Sequence, residues 1–123
     1  MRRRLAAAAI LAATGLASFT ATAASAPERE VGATVRVVSF AFKDDDVGVK
    51  SGQRIKFKWS GNNTSPHNVT LRDGPDGVGT RDFTSETGTS AIRFAPKFVV
   101  AGTYMFRCTI HPDLMRLRVT VGN

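Results

Sequence analysis

The chain has one cysteine, two histidines, one tryptophan and one tyrosine in 123 residues. A single cysteine excludes an internal disulfide framework, and it excludes structural zinc modules built from cysteine pairs. Two histidines exclude chemistry that needs several histidine-rich metal centres. Beyond residue 26 there is no long apolar run, no sustained helical period, no internal repeat and no low-complexity tract. A helical bundle and a coiled coil are therefore ruled out. No arginine-rich block follows the first four residues, so no nucleic-acid partner is expected. The length allows one domain.

The amino end is of a different character. Arg2, Arg3 and Arg4 precede an Ala/Leu-rich stretch, and two small-residue cleavage patterns follow, Ala21-Thr22-Ala23 and Ala24-Ser25-Ala26. Residues 1–26 read as a secretory signal peptide, cut after Ala23 or Ala26. Pro27 would suit a protease poorly just past Ala26, which favours Ala23. An uncleaved anchor is the weaker reading, because Thr14, Gly15, Ser18, Thr20 and Thr22 interrupt the apolar run. The expectation is a periplasmic or secreted protein. Residues 27–32, PEREVG, form a short polar leader, and residues 33–123 form the domain. The formal charge is +7, and without the three n-region arginines it is +4. That is mildly basic, suited to docking on a partner or simply to solubility, and docking on a membrane surface stays open.

Strand signals recur through the domain at intervals of roughly ten residues, the pattern of an all-β sandwich or barrel. In RIKFKWS, Ile55, Phe57 and Trp59 point one way and Arg54, Lys56 and Lys58 the other. The segments TVRVVSF, HNVTLR, SAIRFA, TYMFRC and RLRVTV repeat the theme. Ser51-Gly52, Ser60-Gly61-Asn62-Asn63, Asp73 to Gly77 and Ala101-Gly102 supply turns. Asp44-Asp45-Asp46 reads as a solvated turn. The predicted architecture is seven or eight strands in two packed sheets. The cations alternating through RIKFKWS read as a solvated strand face.

The chemistry gathers around CTIHPDLM, residues 108–115. Tyr104, Phe106 and Cys108 share strand parity, so the thiol faces the side that carries the aromatics. His111 follows three residues later, and Met115 stands where the last strand starts. A hairpin-like connection containing Pro112 would return the chain and bring Cys108, His111 and Met115 to one end of the sandwich. His67, which opens HNVTLR after Ser65-Pro66, would have to join them by tertiary folding. Each residue alone has a plainer reading, since buried free cysteine, core methionine and a satisfied strand histidine are all common. Together they match a trigonal His₂Cys copper site with a weak axial methionine. Zinc fits less well, because methionine is not among its ligands. A thiol nucleophile would need an orienting group and an oxyanion hole that the spacing does not supply. An unpaired thiol in an oxidising compartment is also a liability unless something occupies it.

The segments SPHNVTL and GTYMFRCTIHPDLMRLRVTV resemble the small blue copper proteins, or cupredoxins, nearest to plastocyanin and amicyanin, and the resemblance covers most of residues 33–121. It implies a Greek-key β-sandwich with one copper ion, Cu(II) or Cu(I), near one end. His67, Cys108 and His111 would be the strong ligands and Met115 the long axial one. Asn68 would tie the two ligand loops together by hydrogen bonding near the sulfur. This sequence departs from the family in three places. Three residues separate His111 from Met115, one fewer than in plastocyanin and one more than in amicyanin. Arg107 stands where plastocyanin has an aromatic, and Arg116-Leu117-Arg118 replaces a usual glycine.

The function so implied is one-electron transfer outside the cytoplasm, by a carrier that is not an enzyme and is expected to be a monomer. A redox donor and an acceptor would dock transiently near His111, Pro112 and Leu114. Two rivals share the sequence features. One is a periplasmic copper chaperone, buffer or assembly factor using the same ligands. The other is a metal-free β-sandwich interaction module, in which Cys108 would be a reactive thiol.

Overall fold

The structure, a computed structural model, describes residues 30–123. The expected signal peptide, its cleavage positions and the first three residues of the leader lie outside the described residues. Nine strand segments follow in order: β1 (Val31–Val38), β2 (Ala41–Lys43), β3 (Asp46–Lys50), β4 (Gln53–Trp59), β5 (Thr70–Asp73), β6 (Arg93–Phe94), β7 (Lys97–Phe98), β8 (Gly102–Arg107) and β9 (Arg116–Gly122). A single 3-10 turn, Thr80–Phe83, interrupts the long passage between β5 and β6. β1 begins at Val31, two residues before the expected domain start at residue 33. Val31 is already paired with Arg54 of β4, so the leader's last two residues belong to the sheet.

Two mixed sheets form the sandwich. The first runs β2-β1-β4 and then β6 and β7, with β1 and β4 parallel and the other pairs antiparallel. The second runs β3-β9-β8-β5, with β3 and β9 parallel. β6 and β7 are two halves of one edge strand, because Phe94 faces Phe57 and Phe98 faces Gln53 in a single continuous register. The break falls at Ala95-Pro96, where proline has no N–H to give the ladder. Joined, the segments make eight strands, within the predicted seven or eight.

Alternation builds the core as the sequence implied. Ile55, Phe57 and Trp59 of β4 are buried, as are Leu117, Val119 and Val121 of β9, while the cations between them are exposed or half-buried. Phe83, Phe98, Tyr104 and Phe106 stack beside them, with ring centroids 5.0–6.2 Å apart. Each of these large side chains contributes about 1.5–3 kcal/mol by leaving water. The Tyr104 hydroxyl donates to the Val100 carbonyl at 2.6 Å, which settles its polar end. Burial raises the Tyr104 pKa, so the phenol stays protonated.

The first hairpin differs from the reading of TVRVVSF as one strand. β1 ends at Val38, and Ser39-Phe40 forms a two-residue turn into β2, where Val38 faces Ala41. Phe40 adopts a φ of 61°, a left-handed conformation rare for an aromatic residue. Asp46, read as part of a solvated turn, opens β3 and pairs with Arg118 of β9.

Candidate metal centre

β8 sets the parity of the site. Tyr104 and Phe106 point into the core, and Cys108, one residue past the strand, points the same way and is fully buried. The β8-β9 ladder runs on beyond its last strand pair, since the Cys108 amide donates to the Met115 carbonyl at 3.1 Å. Between these two residues the chain closes tightly. The amides of Leu114 and Met115 both donate to the His111 carbonyl, at 3.2 and 3.0 Å. Arg116 steadies the loop through its Nε, 3.0 Å from the Pro112 carbonyl, and through an ion pair with Asp113. The predicted hairpin-like return is thus present, with His111 half-buried, Pro112 and Leu114 exposed and Met115 fully buried.

His67 comes from a separate part of the chain. It precedes β5 instead of opening a regular strand, and its backbone exchanges two hydrogen bonds with Gly88, at 3.0 and 3.2 Å. The Trp59 indole N–H donates to the His67 carbonyl at 3.3 Å, fixing the residue to the end of β4. The ring is completely buried. Its Nδ1 lies 3.3 Å from Nδ1 of His111, and that atom lies 3.9 Å from Sγ of Cys108. One donor atom from each of His67, Cys108 and His111 lies within 4.8 Å of the others. Separations of this size suit three donors around one ion held at roughly 2.0–2.3 Å.

The electrostatics favour a neutral ring. Burial first, and then the neighbouring His111, lower the His67 pKa. Its Nε2 is buried with no hydrogen-bond partner among the described residues, so a second ring proton would add to an already unsatisfied edge. A neutral imidazole keeps the lone pair that a metal requires.

Asn68 uses its whole side-chain amide in hydrogen bonds. Its Nδ2 donates to Thr109 Oγ1 at 2.7 Å and to Thr87 Oγ1 at 3.0 Å. Its Oδ1 accepts from the Thr109 amide and the Thr70 hydroxyl, both at 3.0 Å. Both amide protons and both carbonyl lone pairs are therefore used. The Asn68 backbone amide points at Sγ of Cys108, 3.5 Å away. The bonds to Thr109 and the amide contact to Cys108 join the His67 segment to the Cys108 segment.

Sequence reasoning missed Phe40. Its ring meets His111 edge-on, with centroids 4.9 Å apart, and His67 at 6.0 Å, while the residue stays 46% exposed. Ser-Phe carries none of the Asn-Gly signal of a two-residue turn, so nothing in the sequence placed it at this end. Thr87 and Thr109 were also missed, because hydroxyl partners of a buried amide leave no spacing pattern.

The family model for copper binding proteins, plastocyanin/azurin family, matches residues 29–122. The chain belongs to this family. Among its relatives, amicyanin-alpha of Methylorubrum extorquens is 34% identical over 117 residues, covering 89% of this chain and 94% of that protein. The crystal structure of amicyanin from Paracoccus versutus superposes with a TM-score of 0.61 at 29% identity, covering 73% of this chain and 80% of that one. A purple cupredoxin from Nitrosopumilus maritimus shares the fold, with a TM-score of 0.60 at 20% identity over 73% of this chain and 99% of that one. Copper binding is the property that defines the family, and the donor cluster of His67, Cys108 and His111 lies close enough to hold one such ion.

Proposed function

We infer that this cupredoxin is a type 1 copper protein that carries single electrons between redox partners outside the cytoplasm. The observation that carries the reading is the meeting of two imidazole nitrogens and one thiol within 4.8 Å at a buried end of the sandwich. In this reading His67, Cys108 and His111 would hold the copper most strongly, and Met115, fully buried at the foot of β9, would add a weaker thioether contact. Bound copper would supply the Cu(II)/Cu(I) couple.

The protein's own residues do the rest. Cys108 would hold the ion through its sulfur, which the Asn68 amide faces. His67 stays neutral and is clamped by Trp59 and Gly88. The same bonds and the Asn68 network hold the donors still, so little has to rearrange when charge changes. His111 lies nearer the surface than His67 and is the route outward. Around it, Phe40, Ile110 and Leu114 expose apolar surface, with Pro112 between them, suited to brief docking of a donor and then an acceptor. Location outside the cytoplasm rests on the basic and apolar character of residues 2–24. A metal-free module has no use for this convergence of donors.

The test is voltammetry of the copper-loaded chain. A reversible one-electron couple with fast exchange is expected. An irreversible response, with copper handed on directly to an apoprotein, would replace the carrier with a trafficking protein.

A further inference from the structure

A row of four cations crosses the outer face of the first sheet. Lys43, Arg36, Lys58 and Arg93 are successive cross-strand partners on β2, β1, β4 and β6. All four are exposed. Neighbouring strands lie about 4.8 Å apart, so the row extends roughly 14 Å with like charges side by side. Arg54 opposite Lys97 repeats the pattern two rows further along the sheet. Like charges directly opposite one another destabilise a sheet.

On the second sheet Arg72, Arg116 and Arg118 pair with Asp73, Asp113 and Asp46, and Lys50 and Arg107 are left without an ion pair among the described residues. On the first sheet the ion pair among the described residues is Arg54 with Glu30, and no member of the four-cation row has one. Protection of sheet edges accounts for Lys43 and Arg93, which lie on the outermost strands. It does not account for Arg36 and Lys58, which lie on the interior strands β1 and β4.

We propose that this row is a docking strip for an acidic face of a partner protein. Carboxylates three and four apart on a helix stand about 5–6 Å from one another, close to the spacing of the row. Beside the row lies a groove of about 1190 Å³ whose lining includes Val31, Lys58, Ile92, Arg93 and Phe94, together with Glu30, which is paired with Arg54. It gives an apolar side chain of the partner a place to enter. The occupant is a protein and not a lipid surface, because this face offers nothing to insert. The exposed large apolar residues Phe40, Val99, Val100, Ile110 and Leu114 all lie in connections at the ends of strands. The strip crosses β4 one residue short of the strand end that meets the donor cluster. One step along the register from Arg36 and Lys58 stand Val37 and Trp59, and Trp59 is bonded to His67. A partner held here lies next to the metal end, although the strip itself does not depend on bound metal.

The test is calorimetric titration of the full chain with polyglutamate, at low and raised salt. The variant Arg36→Gln/Lys58→Gln removes two charges from the row. Lys50→Gln/Arg107→Gln removes two exposed charges from the other sheet and serves as the control. The row variant is expected to bind roughly tenfold more weakly, about 1.4 kcal/mol, and the control to stay within about twofold. Salt should weaken the wild-type interaction. Melting temperature should hold or rise in the row variant as like charges are relieved. Equal losses in both variants would reduce the effect to net charge and overturn the proposal. So would tighter binding to phosphatidylglycerol vesicles or to duplex DNA than to polyglutamate, or a lower melting temperature in the row variant alone. The visible copper band separates this inference from the carrier reading. A chain without that band refutes the carrier and leaves the polyglutamate result standing.

Discussion

Asn68→Ala removes the residue that joins the two halves of the metal centre. Four side-chain hydrogen bonds disappear, two donated to Thr87 and Thr109 and two accepted from Thr70 and Thr109. A net hydrogen bond is worth about 0.5–1.5 kcal/mol. Thr87 and Thr109 are exposed enough to find water instead, so the sum is discounted. The expected loss is about 2–4 kcal/mol, part of it from the small cavity left by a buried side chain. Because Thr109 follows Cys108 directly, the thiol segment should loosen at the same time. Urea unfolding of the copper-free chain measures the first effect, and the width and position of the visible copper band measure the second. Asn68→Asp is the companion variant. It keeps both acceptor positions, loses both donors and adds negative charge near the sulfur, so it should lower the reduction potential. A loss below about 1 kcal/mol with an unchanged copper spectrum would refute the claim that Asn68 holds the segments together.

Other substitutions test other links. Met115→Leu should keep the visible band, shift the potential upwards and cost less than about 1.5 kcal/mol, as similar-volume core exchanges do; voltammetry and urea unfolding check both parts. Gly102→Ala should destabilise by about 1–3 kcal/mol in urea unfolding. Gly102 has a φ of 142°, and an added Cβ would lie 2.7 Å from Cγ of Pro75. Asp46→Asn should matter only above the acid range. The hydrogen bond from Arg118 holds the Asp46 carboxyl below its ordinary value of 3.8, so its contribution is present above that pH and is lost as pH falls through the lowered value. Wild-type and variant stabilities should therefore converge in acid, and divergence there would reverse the sign.

The parts of the fold legible in the sequence were those in which one strand face is dry and the other wet. In β4 and β9 every second side chain is buried, and alternation alone exposed both strands. The Cys108-to-Met115 return was legible for a related reason, since strand parity and a proline constrain so short a segment. Meeting His67 with Cys108 across 40 intervening positions was expected from ligand chemistry, and only the folded chain shows the contact. Three features left no local signal. The β1-β2 turn uses Ser39-Phe40 in place of the usual glycine, and the left-handed Phe40 ends the alternation that had seemed to run on. HNVTLR alternates like a strand throughout, yet His67 is held by an isolated bridge to Gly88 and by the Trp59 indole instead of a strand ladder. The row of cations was visible only as exposed positions on separate strands, because register, which aligns Arg36 with Lys58 and Lys43, is a property of the sheet.

We propose that Cys108, His67 and His111 bind copper together through a thiolate bond. The most direct measurement is the visible absorption spectrum of the purified chain during titration with Cu(II). An intense thiolate-to-copper band should grow and saturate at one copper per chain, as a single donor cluster requires. It should be absent from Cys108→Ser. A chain that shows no such band, or a band that survives the loss of Cys108, contradicts the account.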